Sequence, residues 1–228
     1  MADTYHGDGS KLFSPIVTID GMPATGKTEI IKALVENSSK RGDDFKVKVV
    51  SNDDDDVLLG RYHTNPGKYA KLLHFSRLSK CLLAMQKAKL ASTANECDLI
   101  VLERSLYGNR VAFEVDLHRK LVSEETAAHY QEKFAEALVA SGHPHYYFLL
   151  SDYNMTQAVE RAQATANVFD AAYFTQCILT QTRLFETIDP AFPVIHHFVL
   201  NVATNMYYLN ETIKKIESLA KYHHTADV

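Results

Sequence analysis

The residues best equipped for chemistry come early in the chain. Gly21-Met22-Pro23-Ala24-Thr25-Gly26-Lys27-Thr28 fits the pattern G-x4-G-K-[ST]. Two glycines let the backbone curl so that successive N–H groups point inward at an anion. A helix starting at the end of the loop adds partial positive charge. Lys27 can reach the outer phosphates, and the Thr28 hydroxyl can ligate Mg²⁺. The eight residues are therefore read as the cradle of a nucleoside triphosphate, with an ordinary glycine-rich turn as the competing reading. The motif says that a triphosphate binds and leaves open what happens next.

A second group follows a later apolar run. Glu103-Arg104-Ser105-Leu106-Tyr107 comes directly after Leu99-Ile100-Val101-Leu102, with Arg110 and Phe113 further on. A carboxylate at that strand end, beside the phosphate loop, can hold Mg²⁺ directly or through water. Arg104 can bind phosphates or steer a general base and an attacking hydroxyl. The competing reading of Glu103 and Arg104 is a surface ion pair. A GTPase switch would need D-x-x-G and N-K-x-D. Asp56–Gly60 has one residue too many for the first, and Asn201-Val202-Ala203-Thr204 lacks the Lys and Asp of the second. A motor or transport ATPase usually ends its metal strand in Asp. A small-molecule kinase fits the length of 228 residues best.

Short β-branched runs alternate with helical periods and must position these groups. Strands are expected at Ile16–Ile19, Lys46–Val50, Leu99–Leu102, Tyr146–Leu150 and Pro193–Leu200. Helices are expected at Thr28–Lys40, Pro66–Thr93, Ser123–Val139, Tyr153–Gln163, Ala171–Thr187 and Asn205–Lys221. The first should bury Ile30, Ile31, Leu34 and Val35, the second Tyr69, Leu72, Leu73, Leu78, Leu82 and Met85. Alternation of this kind predicts an α/β fold with a parallel sheet of about five strands flanked by helices. Residues 1–14 are expected as a loose tail and 15–228 as one domain. Ligands then bind at the C-terminal strand ends, around Asp20–Thr28, Ser51–Asp56, Glu103–Arg110, Ser151–Asp152 and Asn201–Asn205.

Glu-Arg-Ser-x-Tyr-x-x-Arg-x-x-Phe after an apolar strand, together with the phosphate loop, resembles the deoxynucleoside kinase family. That family includes deoxycytidine, deoxyguanosine and mitochondrial-type thymidine kinases, and the small size is compatible with a compact viral thymidine kinase. The resemblance runs from Ile16 to about Lys221 and implies a P-loop kinase domain, an ATP donor and a deoxynucleoside acceptor. It places Arg104 at the 5′ end of the nucleoside, Arg110 along the base pocket and Phe113 against the base. The family carries Glu-Pro where this chain has Asn52-Asp53-Asp54-Asp55-Asp56, so Asp53, with Asp54 second, becomes the expected general base. Repulsion among four adjacent acids is expected to raise at least one pKa toward a useful range, whereas the bland reading is a solvated acidic loop or helix start. Tyr62, or His63 given a loop one residue longer, takes the place of a tyrosine on the sugar 3′-hydroxyl. His74 falls where the family has a base-reading glutamine, and a neutral imidazole also offers one donor and one acceptor. Asn109 stands where base choice is tuned. The lid supplies only Arg161 where relatives carry several arginines, and Asp170 is a weaker candidate for a lid acid. Asn201–Asn205 resembles the loop around adenine, and a helix-mediated homodimer is implied.

Composition removes several other classes. Lys+Arg 24 against Asp+Glu 28 gives a net charge of −4, which points to neither nucleic acid nor a membrane surface as partner. No apolar run reaches ~18 residues, so no membrane span is expected. Met1–Ser10 carries two acids and no apolar stretch, so neither a secretory signal nor a transit peptide is expected and a cytoplasmic setting is (the host's, for a viral member). Cys81, Cys97 and Cys177 form no CxxC pair and are expected as small buried hydrophobes. The pairs His143/His145, His196/His197 and His223/His224 lack metal-ligand company and are expected to be structural. The expected reaction is ATP- and Mg²⁺-dependent phosphorylation of a deoxynucleoside 5′-hydroxyl, with pyrimidines including thymidine as substrates. Its rivals are a nucleoside monophosphate kinase and a non-enzymatic nucleotide-binding protein.

Overall fold

A computed structural model describes residues 13–40, 45–51, 55–151, 155–165, 169–198 and 206–225. Five strands, β1 (Ile16–Gly21), β2 (Val47–Val50), β3 (Leu99–Glu103), β4 (Tyr146–Ser151) and β5 (Val194–Phe198), form one sheet in the order β2-β3-β1-β4-β5. Every adjacent pair is parallel. The register sets Val17 beside Val101 and Tyr146, and Ile19 beside Glu103 and Phe148. β1 is thus central, and its C-terminal end opens between those of β3 and β4.

Both faces of the sheet are covered, which is why the strands read as nearly continuous apolar runs. Val17, Ile19, Leu99, Val101, Phe148 and Leu150 pack on α1 (Lys27–Lys40) and α8 (Met206–Thr225) through Ile30, Leu34, Ile213 and Ile216. On the opposite face, Ile16, Val50, Ile100 and Leu102 meet Ala84, Met85 and Ala88 of α3 (Pro66–Thr93). Tyr147 and Leu149 belong to a larger core built mainly from α3, α4 (Leu106–His118), α5 (Glu124–Ser141) and α7 (Ala171–Glu186). The remaining helices are α2 (Asp56–Thr64) and α6 (Met155–Thr165). None of the described helices is long and apolar enough to cross a membrane.

The five expected strands are present. Two helices had no expected span: α2, capped by Asp55, where a helix start was one reading, and α4, capped by Ser105. Each cap side chain takes a backbone N–H of the first turn, Leu58 for Asp55 and Gly108 for Ser105. The acidic run therefore does the bland job at one position, since Asp55 is an exposed helix cap. Val35 and Leu72, expected on buried faces, are 37% and 57% exposed. α3 instead buries Ala70, Leu73, His74, Leu78, Cys81 and Met85, a stripe rotated away from Leu72. All three cysteines are free and buried. His145 acts structurally: its Nδ1 accepts the Ile16 N–H at 2.7 Å while its own N–H donates to the Ile16 carbonyl at 2.9 Å. The tail up to residue 12, Asp53, Asp54, Asp152, Asn201–Asn205 and the side chains of the other two histidine pairs lie outside the described residues.

Candidate active site

The glycine loop turns the chain from β1 into α1. Gly21 has φ 151° and Gly26 φ 86°, values that side chains rarely tolerate. A Cβ on Gly21 would also stand 2.8 Å from the Leu150 carbonyl oxygen. Thr25 Oγ1 donates to the Met22 carbonyl at 2.8 Å, tying the loop closed. Lys27 is buried and folded back, its Nζ donating to the carbonyls of Gly21 at 3.0 Å and Met22 at 2.8 Å. Burial, assisted by the Arg104 charge, lowers its pKa to about 7. A lysine held this way gains most when a phosphate arrives, because the anion restores the environment its charge needs.

Thr28 opens onto the same place. Its hydroxyl donates to Glu103 Oε1 at 3.3 Å, so the two residues expected to hold Mg²⁺ are brought together. Arg104 follows with φ 72°, a left-handed conformation unusual for a non-glycine residue, and its N–H donates to the Ile19 carbonyl at 3.0 Å. This kink carries the chain from β3 into α4 and leaves Arg104 on the cavity wall.

Asp20, the residue just before the loop, was expected near the ligand but with no role of its own. It is 1% exposed, and its Oδ1 accepts the Ser105 N–H at 3.0 Å. Its Oδ2 has no hydrogen-bond partner among the described residues. Burial raises its pKa, against the hydrogen bonds from Ser105 and the charges of Arg104 and Lys27. Gly108 sits so close that a Cβ there would fall 1.9 Å from Asp20 Oδ1. Asp20 thereby fastens the start of α4 to the end of β1.

From this anionic and cationic cluster a cavity of about 260 Å³ extends between α2, α4 and α7. Asp20, Gly21, Met22, Pro23 and Arg104 line its loop end. Tyr62, His63, Phe169, Tyr173 and Phe174 supply aromatic walls, and Arg77 and Gln181 add polar groups. Phe169 stacks on Tyr173 with centroids 4.1 Å apart.

The remaining expected residues are distributed as follows. Tyr62 lines the cavity but donates its hydroxyl to both Asp116 oxygens, at 2.9 and 2.7 Å. Burial, with the Asp116 charge, pushes its pKa upward. His74 Nε2 lies 2.8 Å from Asp116 Oδ2 and is 1% exposed, so it joins a buried Tyr62–Asp116–His74 network rather than the cavity wall. Phe113 stacks on Tyr130 at 3.7 Å and meets His74 edge-on at 5.4 Å. Arg110 donates to Glu114 at 2.8 Å and lies over the Phe134 ring. Asn109 is buried in α4 and, like Phe113 and Arg110, is not on the cavity wall. On that side these residues pack into the protein's own core. Arg161 sits half-buried on α6 and does not line the cavity. Asp170 caps α7, accepting the Tyr173 N–H at 2.7 Å, with Arg119 beside it at 3.6 Å. No group of three or more potential metal-ligating His, Cys, Asp or Glu side chains occurs among the described residues.

No protein-family model matches the chain, and no curated protein sequence matches it. Solved structures do. Deoxyadenosine kinase from M. mycoides with the products dCMP and a flexible dCDP bound has a TM-score of 0.67 at 14% identity, covering 91% of this chain and 99% of that one. The same enzyme with bound dATP gives 0.66 at 13% identity, over 90% of this chain and 99% of that one. With dCTP bound it gives 0.63 at 13% identity, over 89% and 99%. The fold is therefore that of a deoxynucleoside kinase, an α/β P-loop architecture with a parallel sheet between helices.

Proposed function

We propose that this protein transfers the γ-phosphoryl group of ATP to the 5′-hydroxyl of a deoxynucleoside, with thymidine and other pyrimidine deoxynucleosides as substrates. The observation that carries the proposal is a continuous cavity that begins at the glycine loop and runs between aromatic rings. It offers an anion-binding end and a ring-binding end in one continuous space. The shared fold with enzymes whose structures hold dCMP, dATP and dCTP supports an occupant of that kind.

In this reading Lys27 exchanges its two carbonyls for phosphate oxygens, and the loop amides hold the rest of the triphosphate tail. Thr28 and Glu103 supply a neutral and an anionic oxygen side by side, a donor set suited to Mg²⁺. The ion would neutralise phosphate charge. Asp53 takes the proton of the 5′-hydroxyl as its oxygen bonds to phosphorus, and the bridging P–O bond breaks toward ADP. Arg104 and Arg161 offset charge on the moving group. A homodimer joined through helices is part of the proposal.

The test offers thymidine and thymidine monophosphate side by side with labelled ATP. Label in thymidine monophosphate, from thymidine, is the expected result. Label only in the diphosphate would support the monophosphate kinase instead. ATP binding without transfer to any nucleoside would leave a nucleotide-binding protein. Asp53→Asn should abolish turnover while nucleoside binding persists, and undiminished turnover refutes Asp53 as the base.

A further inference from the structure

α7 turns one stripe toward the cavity: Tyr173, Phe174, Cys177 and Gln181, at helical spacing. Three of these are aromatic or sulfur-bearing and pack against neighbours. Gln181 is different. It is 6% exposed, and no hydrogen bond joins its side-chain amide to another described residue. A primary amide enclosed among rings at a cavity wall is placed to use its donor and its acceptor together on an occupant. Its neighbour on the same helix, Gln176, by contrast donates to Thr180 at 3.4 Å. The Gln181 amide borders the cavity, so an occupant can bond to it directly.

The chemistry of the partner follows. A primary amide presents one donor and one acceptor side by side. A flat heterocycle with an adjacent acceptor and N–H donor on one edge satisfies both at once, and rotating the amide by half a turn reverses the pattern. The aromatic walls suit such a ring. His74, the residue expected to read the base, is held by Asp116 and stands off the wall. We infer that Gln181 of α7 recognises the hydrogen-bonding edge of the nucleobase. This rests on the kinase reading above.

The experiment uses the full chain and separates the two. Wild type, Gln181→Met and Gln181→Ala are assayed with ATP against the four natural deoxynucleosides. Thymidine is also compared with its difluorotoluene isostere, which keeps the shape and lacks the edge groups. Circular dichroism and the KM for ATP monitor the integrity of each variant. In the wild type the isostere should be used about tenfold or more less well than thymidine. The variants should raise the thymidine KM by a similar factor, keep the KM for ATP, and lose discrimination between thymidine and the isostere. Wild type using both equally well overturns the inference without needing either variant. So do variants that retain the parent KM and base preference, and both results leave the kinase standing. Wild type that phosphorylates no nucleoside overturns the kinase reading and the inference with it.

Discussion

Lys27 is the residue on which binding should register first. In the free protein its pKa is about 7, because burial and Arg104 disfavour its charge. A bound phosphate reverses that preference, so nucleotide binding and protonation of Lys27 are linked. Below pH 7 the lysine is already charged and binding takes up little. At pH 8 about 0.9 proton should be taken up, and affinity should fall about tenfold per pH unit above that point. Calorimetry of ATP binding in two buffers of different ionisation enthalpy measures this uptake, and equal heats in the two at pH 8 would refute it. Lys27→Ala should abolish turnover, and an unaffected rate would rule out the phosphate-loop role. Gly108 carries a steric prediction, since its Cβ would collide with a carboxylate already bonded to Ser105. Gly108→Ala should destabilise the fold by about 1–3 kcal/mol in a denaturant melt. The glycine loop was legible in the sequence because backbone curvature and a single lysine leave few alternatives at that spacing. Asp20 and Gly108 were not, because their meaning lies in an approach between the end of β1 and the start of α4, 85 residues apart at the Asp20–Ser105 bond.

At the scale of elements, α3, α4 and α2 meet over a buried carboxylate. Asp116 is fully enclosed and accepts from Tyr62 while facing His74. Asp116→Ala would leave a phenol and an imidazole buried without this partner, at a cost of about 3–5 kcal/mol. Equilibrium unfolding should show that loss, and a change under 1 kcal/mol would mean that the network relaxes freely. The same cluster explains why the residues expected around the base stand off the cavity wall. Phe113 and Arg110 stand at the expected spacing, yet stacking on Tyr130 and pairing with Glu114 turn them into the α4–α5 side of the core. Spacing along a helix fixes which residues share a face. It does not say which neighbour that face will meet. α4 itself escaped notice because its polar cap, Ser105, also ends the strand motif. The strands were easier, since a run such as Leu99–Leu102 fits only an element buried on both sides.

At the scale of the molecule, the order β2-β3-β1-β4-β5 puts the glycine loop at the centre of the sheet's C-terminal edge. A ligand there bridges β1, β3 and the helices on one face, so its binding should stabilise the whole fold. ATP at 100 times its Kd contributes about 2.7 kcal/mol, or a rise in Tm of about 5–10 °C. A thermal melt checks this, and the shift should vanish in Lys27→Ala. The alternation of strand and helix was enough to reach this architecture, and the solved structures bear it out across 91% of the chain. The most direct test of the central claim is the site of phosphorylation. The protein is mixed with ATP, magnesium chloride and the natural deoxynucleosides, and the reaction is followed by phosphorus NMR. One new phosphomonoester coupled to the 5′-methylene protons should appear, formed in step with ADP. Absence of a phosphomonoester with all four nucleosides, or its appearance on another hydroxyl, would contradict the claim.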